Sequence, residues 1–265
     1  MLLRFKLYPW IIGAVALLMA GCSQADEHEL PAAVKALQAQ GLSNISEFDV
    51  GGGLRAFAGA AGDQPVAVYV TGDGSAVIGT RIGPNGAALD DSRLEELVIK
   101  PLGERSLLQL QEATWVLDGD KDAPRVVYTF SDPNCPYCNR FWEDARPWVE
   151  SGAVQLRHLV VAVIRPDSAT KAAAILDAKD RSAALSENEE KFSAGGIKPA
   201  SKVSPVAQKI LDDNQILMLE LGFRGTPGIV AMGDDGLLQK INGMPQPDAL
   251  AQLLGPRPGS ASTTN

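Results

Sequence analysis

The residues with the clearest chemical potential are Cys135 and Cys138, separated only by Pro136 and Tyr137. The pair follows a strand-like run at residues 125–130 and precedes a helix-like pattern. Because proline suits the first helical position, Cys135 is expected at a helix N-terminus. Unpaired backbone N–H groups there would favour its thiolate and hold the pKa of Cys135 below the free value of about 8.5. Cys138, one turn later, is expected to face inward, so the spacing predicts a redox dithiol in which Cys135 attacks and Cys138 resolves.

Three other interpretations of the pair are less compatible with the sequence. A structural zinc site needs about four ligands, and His28 and His158 lie far away in sequence. A structural disulfide across so short a loop would stabilise little. Inert core cysteines are not expected at a turn flanked by Ser131, Asp132 and Asn134, which the sequence predicts to be exposed. Neither a metal nor a cofactor beyond the dithiol is therefore expected.

The elements that must position the pair extend from Trp115 to residue 254. Their predicted order is strand, strand, helix, strand, helices, strand, strand, helix. The helix after the pair carries an apolar face at helical spacing. That face consists of Phe141, Ala145, Trp148 and Val149. The remaining elements are a strand at 154–164, helices over 168–221 with breaks near 195–196 and Pro199, a hairpin at 228–232 and 237–241, and a helix at 247–254.

The residues before this region predict a smaller unit and a connection. Residues 27–41 favour a short helix, and residues 44–82 favour antiparallel hairpins, with the glycines at 51–53 forming a turn rather than a phosphate loop. About 65 residues can hardly hold a large core alone, so a partner is expected. Residues 91–114 predict a semi-rigid helical linker capped by Asp91 and Ser92 and interrupted at Pro101 and Gly103.

The first 25 residues have the order of a secretory signal: Arg4 and Lys6, an apolar stretch, then small residues around Cys22. The apolar stretch is about 14 residues, shorter than the roughly 20 of a membrane-spanning helix, which argues against a retained anchor. Cleavage before Cys22 would lipidate it and remove residues 1–21. Cleavage after Ala25 would remove residues 1–25, and both interpretations stay open. Either one places the protein outside the cytosol, where disulfides persist.

Composition narrows the class of protein. The 265 residues are 45% hydrophobic and 21% charged, which is typical of globular proteins, and residues 256–265 are expected to be a disordered tail. A formal charge of −8 argues against a broad nucleic-acid surface. Two histidines offer little to a transition metal, and three cysteines are too few for a disulfide-rich scaffold.

Residues 125–166, together with Thr226-Pro227, resemble the DsbC/DsbG family of periplasmic thiol:disulfide interchange proteins, within the thioredoxin superfamily. The resemblance implies an α+β protein of two domains. Residues 26–90 would form a cystatin-like dimerisation domain and residues 91–114 a helical linker. Residues 115–255 would form a thioredoxin fold with a helical insertion. The resemblance also implies a homodimer in the periplasm.

The same resemblance assigns roles to residues. Cys135 is implied as the nucleophile and Cys138 as the resolving thiol, with the Pro136-Tyr137 dipeptide tuning the site. Thr226 would precede a cis-proline, Pro227, that faces the cysteines and leaves the preceding backbone free to bind an extended substrate. Thr129 stands where thioredoxin has a buried acid, so no acid–base role is assigned to a buried carboxylate.

The implied activity is isomerisation of wrong disulfides and reduction of sulfenic acids on periplasmic proteins, with the dithiol kept reduced by the membrane donor DsbD. Two alternatives remain. One is a monomeric, DsbA-like oxidase, against which a dimerisation domain argues. The other is a chaperone-like binder of unfolded periplasmic proteins, which could coexist with catalysis.

Overall fold

A computed structural model describes residues 29–259. The predicted signal segment, Cys22 and the end of the predicted tail therefore lie outside the described residues. Within 29–259, no helix is long and apolar enough to cross a membrane. The described chain forms two sheets, one on each side of a long helical segment.

The first sheet belongs to the smaller, N-terminal unit. Its elements are the helix α1 (Ala32–Ala39) and the strands β1 (Leu42–Asp49), β2 (Arg55–Ala61), β3 (Gln64–Val70) and β4 (Ala76–Ile78). The strands pair antiparallel in the order β1-β2-β3-β4, which confirms the predicted hairpins. Gly51, Gly52 and Gly53 all have positive φ, between 67° and 74°. Because only glycine adopts that conformation readily, the triple glycine forms a turn, as predicted.

The helical segment runs from residue 91 to residue 112 as α2 (Asp91–Leu94), a π-helical turn (Glu95–Ile99) and α3 (Lys100–Glu112). The predicted interruption at Pro101 and Gly103 is wrong. Pro101 is the second residue of α3 and follows the wider π-helical turn by one residue, where its missing N–H is tolerated. Gly103 allows a close approach, since a Cβ there would lie 3.1 Å from the Leu238 side chain.

The predicted cap of this segment is also wrong. The capping position is Asp90, not Asp91 or Ser92, and its carboxylate makes no cap hydrogen bond. Arg81 donates hydrogen bonds of 2.7 and 2.9 Å to the two carboxylate oxygens, and the Tyr69 hydroxyl donates one of 2.8 Å. The buried carboxylate therefore joins the helix start to the first sheet.

The segment is more than a spacer, because it packs against both units. Val98 is fully buried in a cluster with residues of the first sheet, including Ala58 and Tyr69. Leu110 is fully buried in a cluster with Phe130 of the second sheet. The helix therefore supplies part of the core that the small N-terminal unit lacks on its own.

The second sheet and its helices follow the predicted order. The elements are β5 (Val116–Asp118), β6 (Arg125–Ser131), α4 (Pro136–Glu150), β7 (Val154–Val160), α5 (Ser168–Leu176), α6 (Arg181–Glu190), a 3₁₀ turn (Phe192–Ala194), α7 (Pro205–Glu220), β8 (Gly228–Met232), β9 (Leu238–Asn242) and α8 (Pro247–Leu254). The strand order is β5-β7-β6-β8-β9, with β6 and β7 parallel. The expected thioredoxin-type sheet is confirmed, and α5 and α6 form the expected helical insertion.

Packing on this sheet holds the active-site helix in place. The predicted apolar face of α4 is buried: Phe141 is 1% exposed and Ala145 0%. It packs on one face of the sheet together with Leu253 of α8. On the other face, Met218 of α7 and Phe223 pack against Phe130. Burial of this apolar surface on both sides fixes α4 with its first residues at the carboxyl end of β6.

Candidate active site

The two cysteines lie at the N-terminus of α4, as predicted. Cys135 occupies the capping position, and its Sγ accepts a hydrogen bond of 3.1 Å from the backbone N–H of Cys138. The two Cα atoms are 5.2 Å apart and the sulfurs form a disulfide. Cys135 is 2% exposed and Cys138 4%. The Cys135 sulfur therefore lies where helix N–H groups and the helix dipole favour negative charge.

The loop before β8 completes the site. The Thr226-Pro227 peptide bond is cis, in accordance with the expectation. The carbonyl oxygen of Thr226 lies 3.5 Å from Cys135 Sγ. A Cβ on Gly228 would lie 2.7 Å from the Phe223 ring, so glycine is required where this loop turns into the sheet.

The dipeptide between the cysteines faces outward. Pro136 is exposed on the first turn of α4, and the Tyr137 side chain is 60% exposed. Both therefore lie on the protein surface beside the two sulfur atoms. The structure brings together all six residues predicted for the site within the described chain, whereas Cys22 lies outside it.

The turn that leads into Cys135 is buried, and the predicted exposed turn is wrong. Ser131, Asp132 and Asn134 are only 5%, 1% and 4% exposed. Asp132 Oδ2 accepts hydrogen bonds of 2.6 and 2.9 Å from the backbone N–H groups of Val163 and Ile164. Polar side chains in a sequence normally indicate an exposed turn. In this turn they are buried, and hydrogen bonds to other protein groups replace the hydrogen bonds that water would make.

Sequence reasoning missed a buried carboxylate on the helical insertion. Glu189 is 5% exposed, and its side chain accepts hydrogen bonds of 2.9 Å from Asn139 and 3.1 Å from Asn188. Burial raises the pKa of Glu189, and these hydrogen bonds oppose the shift. Because Asn139 directly follows Cys138, the contact ties the insertion to the active-site helix. In the sequence, Glu189 lies in an acidic run that carries no signal of burial.

A second buried polar cluster lies where β5 and β7 meet α4. Arg146 donates two hydrogen bonds to the Asp118 carboxylate, one of 3.0 Å to Oδ1. His158 Nε2 lies 3.6 Å from Asp118 Oδ2. Thr129 pairs in register with His158 across β6 and β7, and its hydroxyl has no hydrogen-bond partner among the described residues. Burial alone would raise the pKa of Asp118, but His158 and Arg146 lower it to about 2.

Asp118→Asn should lower the free energy of unfolding by about 3 kcal/mol at neutral pH, because Arg146 loses its buried partner. The lowered pKa of Asp118, about 2 against an ordinary 3.8, contributes about 2 kcal/mol of that stability. This contribution is fully present above about pH 4 and is lost as pH falls towards 2. Denaturant unfolding of wild type and variant at descending pH measures it.

The matched control is Asp122→Asn, whose carboxylate pairs with Lys121 at the surface and should matter little. A stability difference between wild type and Asp118→Asn that stays constant from neutral pH to about pH 2 would contradict this account of the Asp118 cluster.

No group of three or more His, Cys, Asp or Glu side chains within residues 29–259 is arranged to hold a metal ion. The groups with redox chemistry at this site are the sulfur atoms of Cys135 and Cys138. A dithiol at a helix N-terminus, opposite a proline loop in a sheet of this topology, defines a thioredoxin-fold thiol–disulfide oxidoreductase.

A family model and two relatives agree with that class. A family model described as a thioredoxin-like domain matches residues 116–256. The thiol:disulfide interchange protein DsbG of Pseudomonas aeruginosa is 44% identical over 244 residues, 92% of this chain and 95% of the relative. DsbG of Escherichia coli K12 is 40% identical over 228 residues, 86% of this chain and 92% of the relative. The catalytic domain of Proteus mirabilis ScsC aligns with a TM-score of 0.49 and 23% identity, over 59% of this chain and 96% of that one.

The chain therefore belongs to the DsbG family of thiol:disulfide interchange proteins.

Proposed function

We propose that the protein is a periplasmic disulfide isomerase and reductase that works from its reduced dithiol, with Cys135 as the nucleophile and Cys138 as the resolving thiol. The observation that supports these roles best is the position of Cys135 Sγ. It accepts the Cys138 N–H at 3.1 Å at the start of α4 and faces the Thr226 carbonyl oxygen at 3.5 Å. Backbone N–H groups that stabilise the thiolate make Cys135 both the better nucleophile at neutral pH and the better leaving group.

In the first step, the Cys135 thiolate attacks one sulfur of a substrate disulfide. A new sulfur–sulfur bond forms as the old one breaks, and the other substrate sulfur leaves as a thiolate. With a substrate sulfenic acid, the same attack gives the same mixed disulfide, and the hydroxide that leaves is protonated to water. We propose that the backbone at Thr226 and Pro227 holds the substrate segment beside the mixed disulfide as an added strand.

The mixed disulfide then has two outcomes. If Cys138 attacks Cys135 Sγ, the substrate leaves as a thiolate and the protein keeps the two-electron oxidation as the Cys135–Cys138 disulfide. A reductant must then restore the dithiol, and a membrane donor of the DsbD type is the proposed source. If a second substrate thiolate displaces Cys135 instead, the substrate disulfide is rearranged and no reductant is consumed.

The test of the proposed function is reactivation of a scrambled disulfide protein by the reduced protein. We expect many substrate molecules to be reactivated per dithiol without added reductant, because isomerisation regenerates the Cys135 thiolate. A sulfenylated single-cysteine substrate should instead be reduced once per dithiol. Failure to act on either substrate would contradict the proposal.

We propose further that residues 26–90 form a dimerisation domain, joined through residues 91–114 to the catalytic domain at 115–255. The observation that supports this proposal is an exposed apolar edge of the first sheet, at β4. β4 pairs only with β3 among the described strands, and Val77 and Ile78 on it are 54% and 55% exposed. Ile82 and Leu89, beyond this strand, are 56% and 46% exposed. A second copy of the chain would bury this edge and its apolar side chains.

Val77→Asp combined with Ile78→Asp should therefore halve the mass of the protein in light scattering, because charges would be buried in the interface. Val206→Asp is the matched control, since Val206 is 61% exposed on α7 and should leave the mass unchanged. A wild-type protein that is already monomeric, or a double variant that stays dimeric, would contradict the assignment.

A further inference from the structure

A buried lysine lies next to the turn that carries the nucleophile. Lys171, on α5 of the helical insertion, is 6% exposed. Its ammonium donates hydrogen bonds of 2.6 Å to Asn134 Oδ1 and 2.7 Å to the backbone oxygen of Gly195. Asp167 Oδ2 lies 3.8 Å away. Burying an ammonium costs free energy unless it is hydrogen-bonded and paired, so this position is closely defined by its partners.

Asn134 connects this ammonium to the site, because it directly precedes Cys135 in the chain. Its amide nitrogen donates hydrogen bonds of 3.0 Å to Asp167 Oδ1 and 3.1 Å to Ser168 Oγ. Its backbone N–H donates one of 2.8 Å to Asp132 Oδ1. Both ends of the Asn134 side chain and its backbone are therefore held, which fixes where α4 begins and where Cys135 Sγ points.

The charges around this turn are mixed. Asp132 on the turn, Asp167 before α5 and Glu189 on α6 are all acidic. Asp132 and Glu189 are buried, and burial raises the pKa of Glu189. Negative charge here opposes formation of a thiolate on Cys135. The buried Lys171 ammonium, 3.8 Å from Asp167 Oδ2, offsets part of that negative charge.

We propose that Lys171, acting through Asn134, is a positioning residue for the nucleophile and favours the thiolate form of Cys135. The inference rests on the proposed role of Cys135. The mechanism described above needs no group beyond the helix N-terminus to stabilise the thiolate. Lys171 would add a second, independent contribution supplied by the helical insertion.

The test is Lys171→Met in a Cys138→Ala background, so that the thiolate absorbance of the reduced protein follows Cys135. We expect the titration midpoint to rise by about one pH unit, which lowers the thiolate fraction below the midpoint about tenfold. In the two-cysteine protein, the equilibrium with glutathione should shift about tenfold towards the disulfide, because the reduced form loses stabilisation. Lys179→Met is the matched control: it removes the same charge from an exposed position near the end of α5 and should change neither quantity.

A second variant separates the positioning effect from the effect of the Lys171 charge. It also provides the test if Lys171→Met does not fold. Asn134→Ala keeps the ammonium, so the midpoint should move less. The rate of attack on a substrate disulfide should nevertheless fall several-fold at pH values above the midpoint, where Cys135 is already a thiolate.

An unchanged rate in folded Asn134→Ala would overturn the positioning role. A folded Lys171→Met with the midpoint and glutathione equilibrium of Lys179→Met would overturn the effect on the thiolate. Neither result touches the proposed function, which is tested separately by the activity of the two-cysteine protein on its substrates and by Cys135→Ala.

Discussion

Replacing Cys135 with alanine should abolish thiol–disulfide exchange, with a loss of rate of about a thousandfold or more. The physical reason is that Cys135 occupies the capping position of α4, where its sulfur accepts a backbone N–H at 3.1 Å. Cys138 should not take over, because it lies inside the first turn of α4 and not at the capping position, where a sulfur accepts a backbone N–H. The measurement is the rate of reduction of a model protein disulfide.

The control for this variant is Cys138→Ala, which should still perform the first attack. Circular dichroism and thermal unfolding of both variants would establish that each is folded. Substantial exchange by Cys135→Ala, with Cys138 acting alone, would show that the roles of the two sulfurs are reversed.

Cys138→Ala should accumulate mixed disulfides with substrate proteins, which is the second large effect. Without the resolving thiol, the bond between Cys135 and the substrate can be broken only by another thiol from the substrate or the solution. Non-reducing electrophoresis of periplasmic extracts, followed by mass spectrometry of the trapped partners, should reveal adducts that wild type shows only at low level.

The double variant Cys135→Ala, Cys138→Ala is the control and should trap nothing. Partners with several cysteines would indicate isomerisation or disulfide reduction, and partners with a single cysteine would indicate sulfenic-acid reduction. A Cys138→Ala protein that is folded and traps no partner would contradict the proposed roles of the two cysteines.

The sequence was sufficient for the element order around the site. Runs of β-branched, aromatic and other apolar residues predicted the strands, and apolar residues at helical spacing predicted α4. Together they placed the cysteines at a strand-to-helix turn. The element order could be predicted because it depends on patterns local in sequence. The place of Thr226-Pro227 opposite the cysteines is a long-range contact, and it was implied by the resemblance to a known family.

The polar surroundings of the site could not be predicted in the same way. Asp132, Lys171 and Glu189 are residue types that are mostly exposed, and Asp132 and Glu189 lie in stretches that look polar in sequence. Their burial depends on how α5 and α6 pack beside α4, which is long-range information. The continuity of the helix through Pro101 likewise depends on its packing between the two units, which outweighs the local preference.

If the protein works from its reduced dithiol, Cys135 and Cys138 should be found reduced in the cell. The measurement that tests it most directly is the redox state of Cys135 and Cys138 in living cells, obtained by acid quenching and alkylation of free thiols with a reagent that adds mass. A predominantly alkylated, reduced pair is the predicted result, because only a dithiol can start isomerisation or reduction. A pair that is predominantly a disulfide in the periplasm would contradict the account and favour an oxidase.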